Sequence, residues 1–188
     1  FARAADDVAD HAAAGAELKL AQLERLEAGL RGDAGASVEG EALRSALQAR
    51  GLSDRHARDL LEAFRRDVVQ RRYADWSELM DYCRFSAAPV GRFVLDLHGE
   101  SDLLWPLNDA LCAALQVINH LQDCAKDYRD LDRVYLPMDR LAAEGLDVDC
   151  LSANQASPGL RCAIASLARQ TGALLDLSRP FAERIADR

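Results

Sequence analysis

Two runs of short carboxylates carry the clearest chemical signal in this chain. The first is Arg3-Ala-Ala-Asp6-Asp7-Val-Ala-Asp10. Asp6 and Asp10 stand four residues apart, so on a helix they share a face and can reach the same ion. The second is Asn119-His-Leu-Gln-Asp123-Cys-Ala-Lys-Asp127, where three oxygen-bearing side chains recur every four residues along one stripe. Magnesium takes oxygen ligands and commonly combines one or two carboxylates with substrate phosphates. Two such stripes on facing helices would make an acidic mouth that binds a diphosphate through bridging Mg²⁺. The alternative is plainer: acid pairs at this spacing also decorate ordinary solvated helix faces.

Three features weigh toward chemistry. Like charges four apart destabilise a helix by ~0.2–0.5 kcal/mol unless something compensates. The second stripe ends the most apolar helical stretch of the chain, residues 111–118, where a solvated face is out of place. Bases also interleave the acids, Arg3 in the first run and Lys126, Arg129 and Arg133 around the second, and bases suit phosphate oxygens. Below Asn119 the same face continues through Leu115, Leu111 and Cys112, which predicts a polar mouth over an apolar floor. Tyr82, Ser86, Pro89, Val90, Phe93 and Leu97 fall at helical spacing and form a second wall, either of that cavity or of ordinary core.

The elements that must position these groups read almost entirely as helix. Residues 1–10 close one helix, and 17–30 form another, ended by Gly32 and Gly35. Residues 41–50 follow and stop at Gly51, a common C-terminal signal. Ser53 is placed to cap a helix running to residue 70, with Leu60, Leu61, Phe64 and Val68 on one face. Asp75 and Glu78 make a capping box for a helix over 76–98. Pro89 lies inside it, lacks an N–H for the carbonyl of Phe85, and should kink it. Pro106 starts a long helix to residue 129. After a loop at 134–137 come a short helix over 139–144 and a long one over 158–177, broken at 178–180. With no repeat and no strand-like alternation, the expectation is an all-α bundle forming a single domain over 1–188.

These same residues carry a family resemblance. Arg3-x-x-Asp6-Asp7-x-x-Asp10 and Asn119-x-x-x-Asp123-x-x-x-Asp127 resemble the two aspartate-rich motifs of the squalene and phytoene synthases, the head-to-head isoprenoid synthases. Tyr82-Cys-Arg-Phe-Ser-Ala-Ala-Pro-Val90-Gly91 resembles that family's Tyr-Cys…Val-Gly helix, and Arg133-Val-Tyr135-Leu-Pro137 its Arg-x-Tyr-Leu-Pro segment. Four segments in order over the whole chain make a specific match. Within the family, the Tyr-Cys-Arg-x-Ser-Ala-x-Pro-Val-Gly pattern and Gln122 before Asp123 resemble the hydroxysqualene synthase branch of bacterial hopanoid biosynthesis.

The resemblance implies an isoprenoid-synthase-type bundle around a central cavity, with Mg²⁺ as cofactor. It implies that Asp6, Asp10, Asp123 and Asp127 bind the metal, with Asn119 in support and Asp7 as a weaker ligand. Arg3, Asn119, Gln122, Arg133 and Tyr135 are implied on the substrate, and Tyr82 beside the cationic intermediates. The implied reaction ionises presqualene diphosphate, rearranges the cation and captures it with water, giving hydroxysqualene. Two other readings stay open: coupling of two prenyl diphosphates, and a non-catalytic helical assembly factor, which would be expected to have lost its carboxylates. Family members are longer at both ends; Phe1 is not a start residue, and a preceding segment is expected.

Bulk properties fit. The 188 residues carry 31 acids against 23 bases, a net charge of −8, which argues against nucleic acid as a partner. Asp outnumbers Glu by 21 to 10 although Glu is the better helix former. The five cysteines are scattered without a CxxC pair, which suits buried thiols in a reducing cytoplasm better than disulfides or zinc. No stretch reaches the ~18 apolar residues of a membrane span. The implied substrate is lipid-soluble, so the expected location is cytoplasmic with peripheral contact at the inner face of the membrane.

Overall fold

The computed structural model describes residues 1–186. Ten α-helices make up the described fold: α1 (Ala2–Asp10), α2 (Ala16–Arg31), α3 (Val38–Arg50), α4 (Arg55–Val69), α5 (Trp76–Ser86), α6 (Ala88–Leu97), α7 (Trp105–Leu131), α8 (Met138–Ala143), α9 (Pro158–Ser178) and α10 (Phe181–Arg184). Short 3-10 turns at Asp102–Leu104 and Val148–Ser152 precede α7 and α9.

Local chemistry sets most of the boundaries. Gly32 and Gly51 take left-handed conformations, with φ of 95° and 65°, and end α2 and α3. The Asp75 carboxylate accepts from Glu78 N at 2.9 Å and opens α5. Helix α3 begins at Val38 rather than 41, because Ser37 Oγ accepts from Gly40 N and starts the helix a turn early. Ser53 Oγ accepts from Arg55 N, but the residue bounding α4 is Asp54. The helix expected over 76–98 is two helices. The chain breaks at Ala87 (φ −115°, ψ −50°), and Pro89, without an N–H, sits in the first turn of α6.

Packing then aims the carboxylates. Ala5 and Ala9 of α1 are buried against Leu23, Leu26, Ala57 and Leu61, so small side chains bring α1 close to α2 and α4. Asp6 and Asp10 follow Ala5 and Ala9 by one residue, about 100° further round the helix, which puts them at the edge of that contact. On α7, Ala114, Val117 and Cys124 are buried, and the Asn119–Asp123–Asp127 stripe flanks them. Helix α6 lies tight on α7: a Cβ at Gly91 would meet Asn108 Oδ1 at 1.9 Å and Cys112 Sγ at 2.7 Å. Only glycine permits that approach.

The segment after α7 runs beside the turn after α4. Val134 N donates to Arg71 O at 2.9 Å, Met138 N to Tyr73 O at 2.9 Å and Asp139 N to Ala74 O at 3.0 Å. This pairing brings Tyr73, Tyr82 and Tyr135 into one buried cluster with Ala63 and Val117. All five cysteines are free thiols; Cys83 and Cys124 are buried, whereas Cys162 is exposed, short of the expectation of buried thiols throughout. Among the described residues no helix is long and apolar enough to cross a membrane.

Candidate active site

One cavity of about 480 Å³ is lined by Asp6 and Asp10 from α1 and by Asn119, Asp123 and Asp127 from α7. The two stripes therefore face a common volume. Arg3, Arg133, Tyr82 and Tyr135 line it too. Two implied residues stand apart. Asp7 is exposed, pairs with Arg3 Nε at 3.0 Å and is not in the lining. Gln122 is exposed and also outside it, since one residue along a helix turns a side chain about 100° from Asp123.

The apolar part of the wall differs from the expected floor. Leu60, Ala63 and Phe64 of α4 supply it, with Val90 of α6. Cys112 is instead covered by Gly91, and Leu115 is 55% exposed. Tyr82, Ser86 and Val90 do line the cavity; Pro89 and Phe93 line an adjoining apolar pocket of about 290 Å³, and Leu97 is 45% exposed.

Electrostatics separate the carboxylates. Arg133, only 6% exposed, donates from Nη1 to Asp10 Oδ1 at 2.6 Å, from Nη2 to Ala9 O at 2.9 Å and from Nε to Asp67 O at 3.0 Å. Lys19 Nζ also donates to Ala9 O at 2.9 Å. The carboxylates of Asp123 and Asp127 have no protein hydrogen-bond partner among the described residues, although the Asp127 carbonyl accepts from Arg133 N at 3.2 Å. Burial, and then the charge of Asp123, pushes Asp127 up to about 6. Asp6 is also raised, by burial and then by Asp10.

An all-oxygen donor set of carboxylates and an amide, in which neighbouring acids raise Asp6 and Asp127, suits a hard divalent cation such as Mg²⁺. Among the described residues no group of three or more His, Cys, Asp or Glu side chains is placed to hold a metal ion by itself.

Two buried titratable residues of the lining are not among the residues the sequence singles out. Asp67 of α4 is 7% exposed and accepts from Tyr82 Oη at 2.9 Å and from Tyr135 Oη at 2.8 Å. Burial pushes it up to about 6, against the opposing pull of Arg133 and the two hydroxyls. Its signal was available: on α4 it follows Leu60 and Phe64 at helical spacing, a charge on the apolar face. His120 stacks on Tyr135 with ring centres 3.7 Å apart, and burial lowers it to about 3, so it is neutral.

The unbalanced charge on α7 predicts a stability effect. An acid raised from 3.8 to about 6 ionises less readily in the folded chain, so its contribution to stability falls as pH rises through that window. Asp127→Asn removes this effect. In the metal-free protein at pH 7.5 it should raise stability by about 1 kcal/mol, the full shift being discounted for solvent screening. The gain should vanish near pH 4, and added Mg²⁺ should stabilise the parent more than the variant. Thermal melts at the two pH values, with and without Mg²⁺, check this.

The all-α bundle and its carboxylate-lined cavity define an isoprenoid-synthase-type protein. The chain belongs to the squalene/phytoene synthase family, whose model (Squalene/phytoene synthase) matches residues 1–188. It is 52% identical over 187 residues to a hydroxysqualene synthase of Rhodopseudomonas palustris and 52% over 190 residues to one of Zymomonas mobilis. All of this chain is covered in both, and it spans 64% of the length of each. A crystal structure of a squalene synthase from Alicyclobacillus acidocaldarius superimposes with a TM-score of 0.82 at 37% identity, covering 97% of this chain and 70% of that one.

Proposed function

We propose that the full-length protein is a hydroxysqualene synthase, converting presqualene diphosphate to hydroxysqualene with Mg²⁺. The observation that carries this reading is the convergence of both carboxylate stripes on one cavity that also has a tyrosine-lined, partly apolar wall. The likeness to two hydroxysqualene synthases over the whole chain supports the choice of branch.

Asp6, Asp10, Asn119, Asp123 and Asp127 would hold the metal. When bound, Mg²⁺ supplies Lewis-acid neutralisation of the diphosphate's developing charge. Arg3 at the mouth offers N–H donors to phosphate oxygens, while Arg133 holds Asp10 in place and adds positive charge behind it. Deeper in, the Tyr82 ring and the Tyr135–His120 stack present aromatic surface to the carbocation. Leu60, Phe64 and Val90 exclude water around the chain of the substrate. Since the proposed substrate and product are lipid-soluble, we place the enzyme in the cytoplasm, in peripheral contact with the inner face of the membrane.

A second reading, coupling of two prenyl diphosphates, is favoured by the likeness to a squalene synthase structure and would use the same metal-binding residues. Product analysis separates the two. The full-length protein is incubated with Mg²⁺ and either presqualene or farnesyl diphosphate, with and without NADPH. Hydroxysqualene from presqualene diphosphate without NADPH is the expected result. Squalene formed only with NADPH, or activity on farnesyl diphosphate alone, would overturn the branch and leave the metal site standing.

A further inference from the structure

Water capture releases a proton, and the cavity wall contains a carboxylate that none of the roles above uses. Asp67 lies behind Tyr82: its Oδ2 accepts from Tyr82 Oη at 2.9 Å, and its Oδ1 from Tyr135 Oη at 2.8 Å. Both hydroxyl hydrogens therefore point at Asp67, and Tyr82 Oη, which also meets the Tyr135 hydroxyl, keeps a lone pair to accept from a group in the cavity. Tyr82 and Asp67 both line that cavity.

We propose that Asp67 is a positioning residue that accepts, through Tyr82, the proton released when water captures the cation. This rests on the water-capture reading. As the carbon–oxygen bond forms, one O–H bond of the water breaks and its proton passes to Tyr82 Oη. The hydroxyl's own proton moves to Asp67 Oδ2, giving a neutral carboxylic acid and an unchanged tyrosine. After product leaves, the proton returns by the same two oxygens to water in the cavity.

The groups facing Asp67 fit this role. Arg133 and Tyr135 flank it from the segment after α7, Tyr82 from α5, Tyr73 from the turn after α4, and Asp10 from α1. His120 of α7 stands behind Tyr135, and burial makes it a poor acceptor at neutral pH. Asp67, raised to about 6, lies near the operating pH, where a base transfers protons best.

The test uses the full-length protein, presqualene diphosphate and Mg²⁺, and measures alcohol formed per diphosphate released between pH 5 and 8. Asp67→Asn keeps the shape and a partner for both tyrosines but removes the base. Tyr82→Phe keeps the ring and removes the conduit, and serves alone if Asp67→Asn does not fold. In both variants the ratio should fall about 100-fold, the lower range for a positioned base, with the remainder as the hydrocarbon formed when the cation loses a carbon-bound proton to the departing diphosphate. The parent's ratio should decline below about pH 6, and that decline should be absent in Asp67→Asn. Unchanged ratios would overturn the proposal and make the departing diphosphate the base. A decline that persists in Asp67→Asn would also overturn it, pointing to Asp127. No alcohol from the parent would instead sink the water-capture reading, and this inference with it.

Discussion

Asp123→Asn in the full-length protein is expected to lower turnover about 1,000-fold, some 4 kcal/mol of transition-state stabilisation, while the fold is retained. Asp123 lines the cavity between Asn119 and Asp127, and its carboxylate makes no protein hydrogen bond among the described residues. No hydrogen bond or ion pair in the described chain depends on its carboxylate, so the amide keeps the shape and removes a metal-binding oxygen anion. Relief of repulsion with Asp127 should leave the metal-free melting temperature equal or slightly higher. Near-normal turnover would mean that the stripe on α7 is a solvated face.

Arg133→Met is expected to do the reverse, acting first on stability. The guanidinium ties Asp10 of α1 to the backbone of Asp67 on α4 from within the wall. Methionine preserves the apolar stem and strands the buried Asp67 carbonyl. Ala9 O keeps Lys19 as a donor, and Asp10, with 43% of its side chain exposed, turns to water. The loss should be about 3 kcal/mol, at the low end for breaking a buried pair, or about 10 °C in melting temperature. Arg133→Lys should recover only part of it, since an ammonium cannot span three acceptors in different directions. A loss below about 0.5 kcal/mol, the range of ordinary surface substitutions, would show that Arg133 is not a strut between these helices.

The sequence was most legible where spacing alone carries the information. Helical periodicity, glycine stops and the Asp75 cap located most helices, and the i, i+4 carboxylates identified both stripes. Where contacts are long-range it said less. Asp67 meets Tyr82 and Tyr135 from 15 and 68 residues away, so no local pattern announces the cluster. Gln122 entered by resemblance, which transfers identities but not directions, and the helix turns it to solvent. The conspicuous hydrophobic run of α7 suggests an apolar floor there; the cavity is instead walled by α4, since α6 occupies part of α7 at Gly91. Pro89 announced a kink, and the break at Ala87 is the fuller outcome of a missing N–H beside a tight helix crossing.

We propose that Asp6, Asp10, Asn119, Asp123 and Asp127 act together as one Mg²⁺–diphosphate site. The most direct measurement is calorimetric titration of the full-length protein with inorganic diphosphate, with and without Mg²⁺, in the parent and in Asp6→Asn and Asp123→Asn. Binding should require Mg²⁺ and weaken at least tenfold in either variant (about 1.4 kcal/mol), because each removes a ligand from a different wall of the same cavity. Diphosphate binding that is equally tight without Mg²⁺, or that survives both substitutions unchanged, would contradict it.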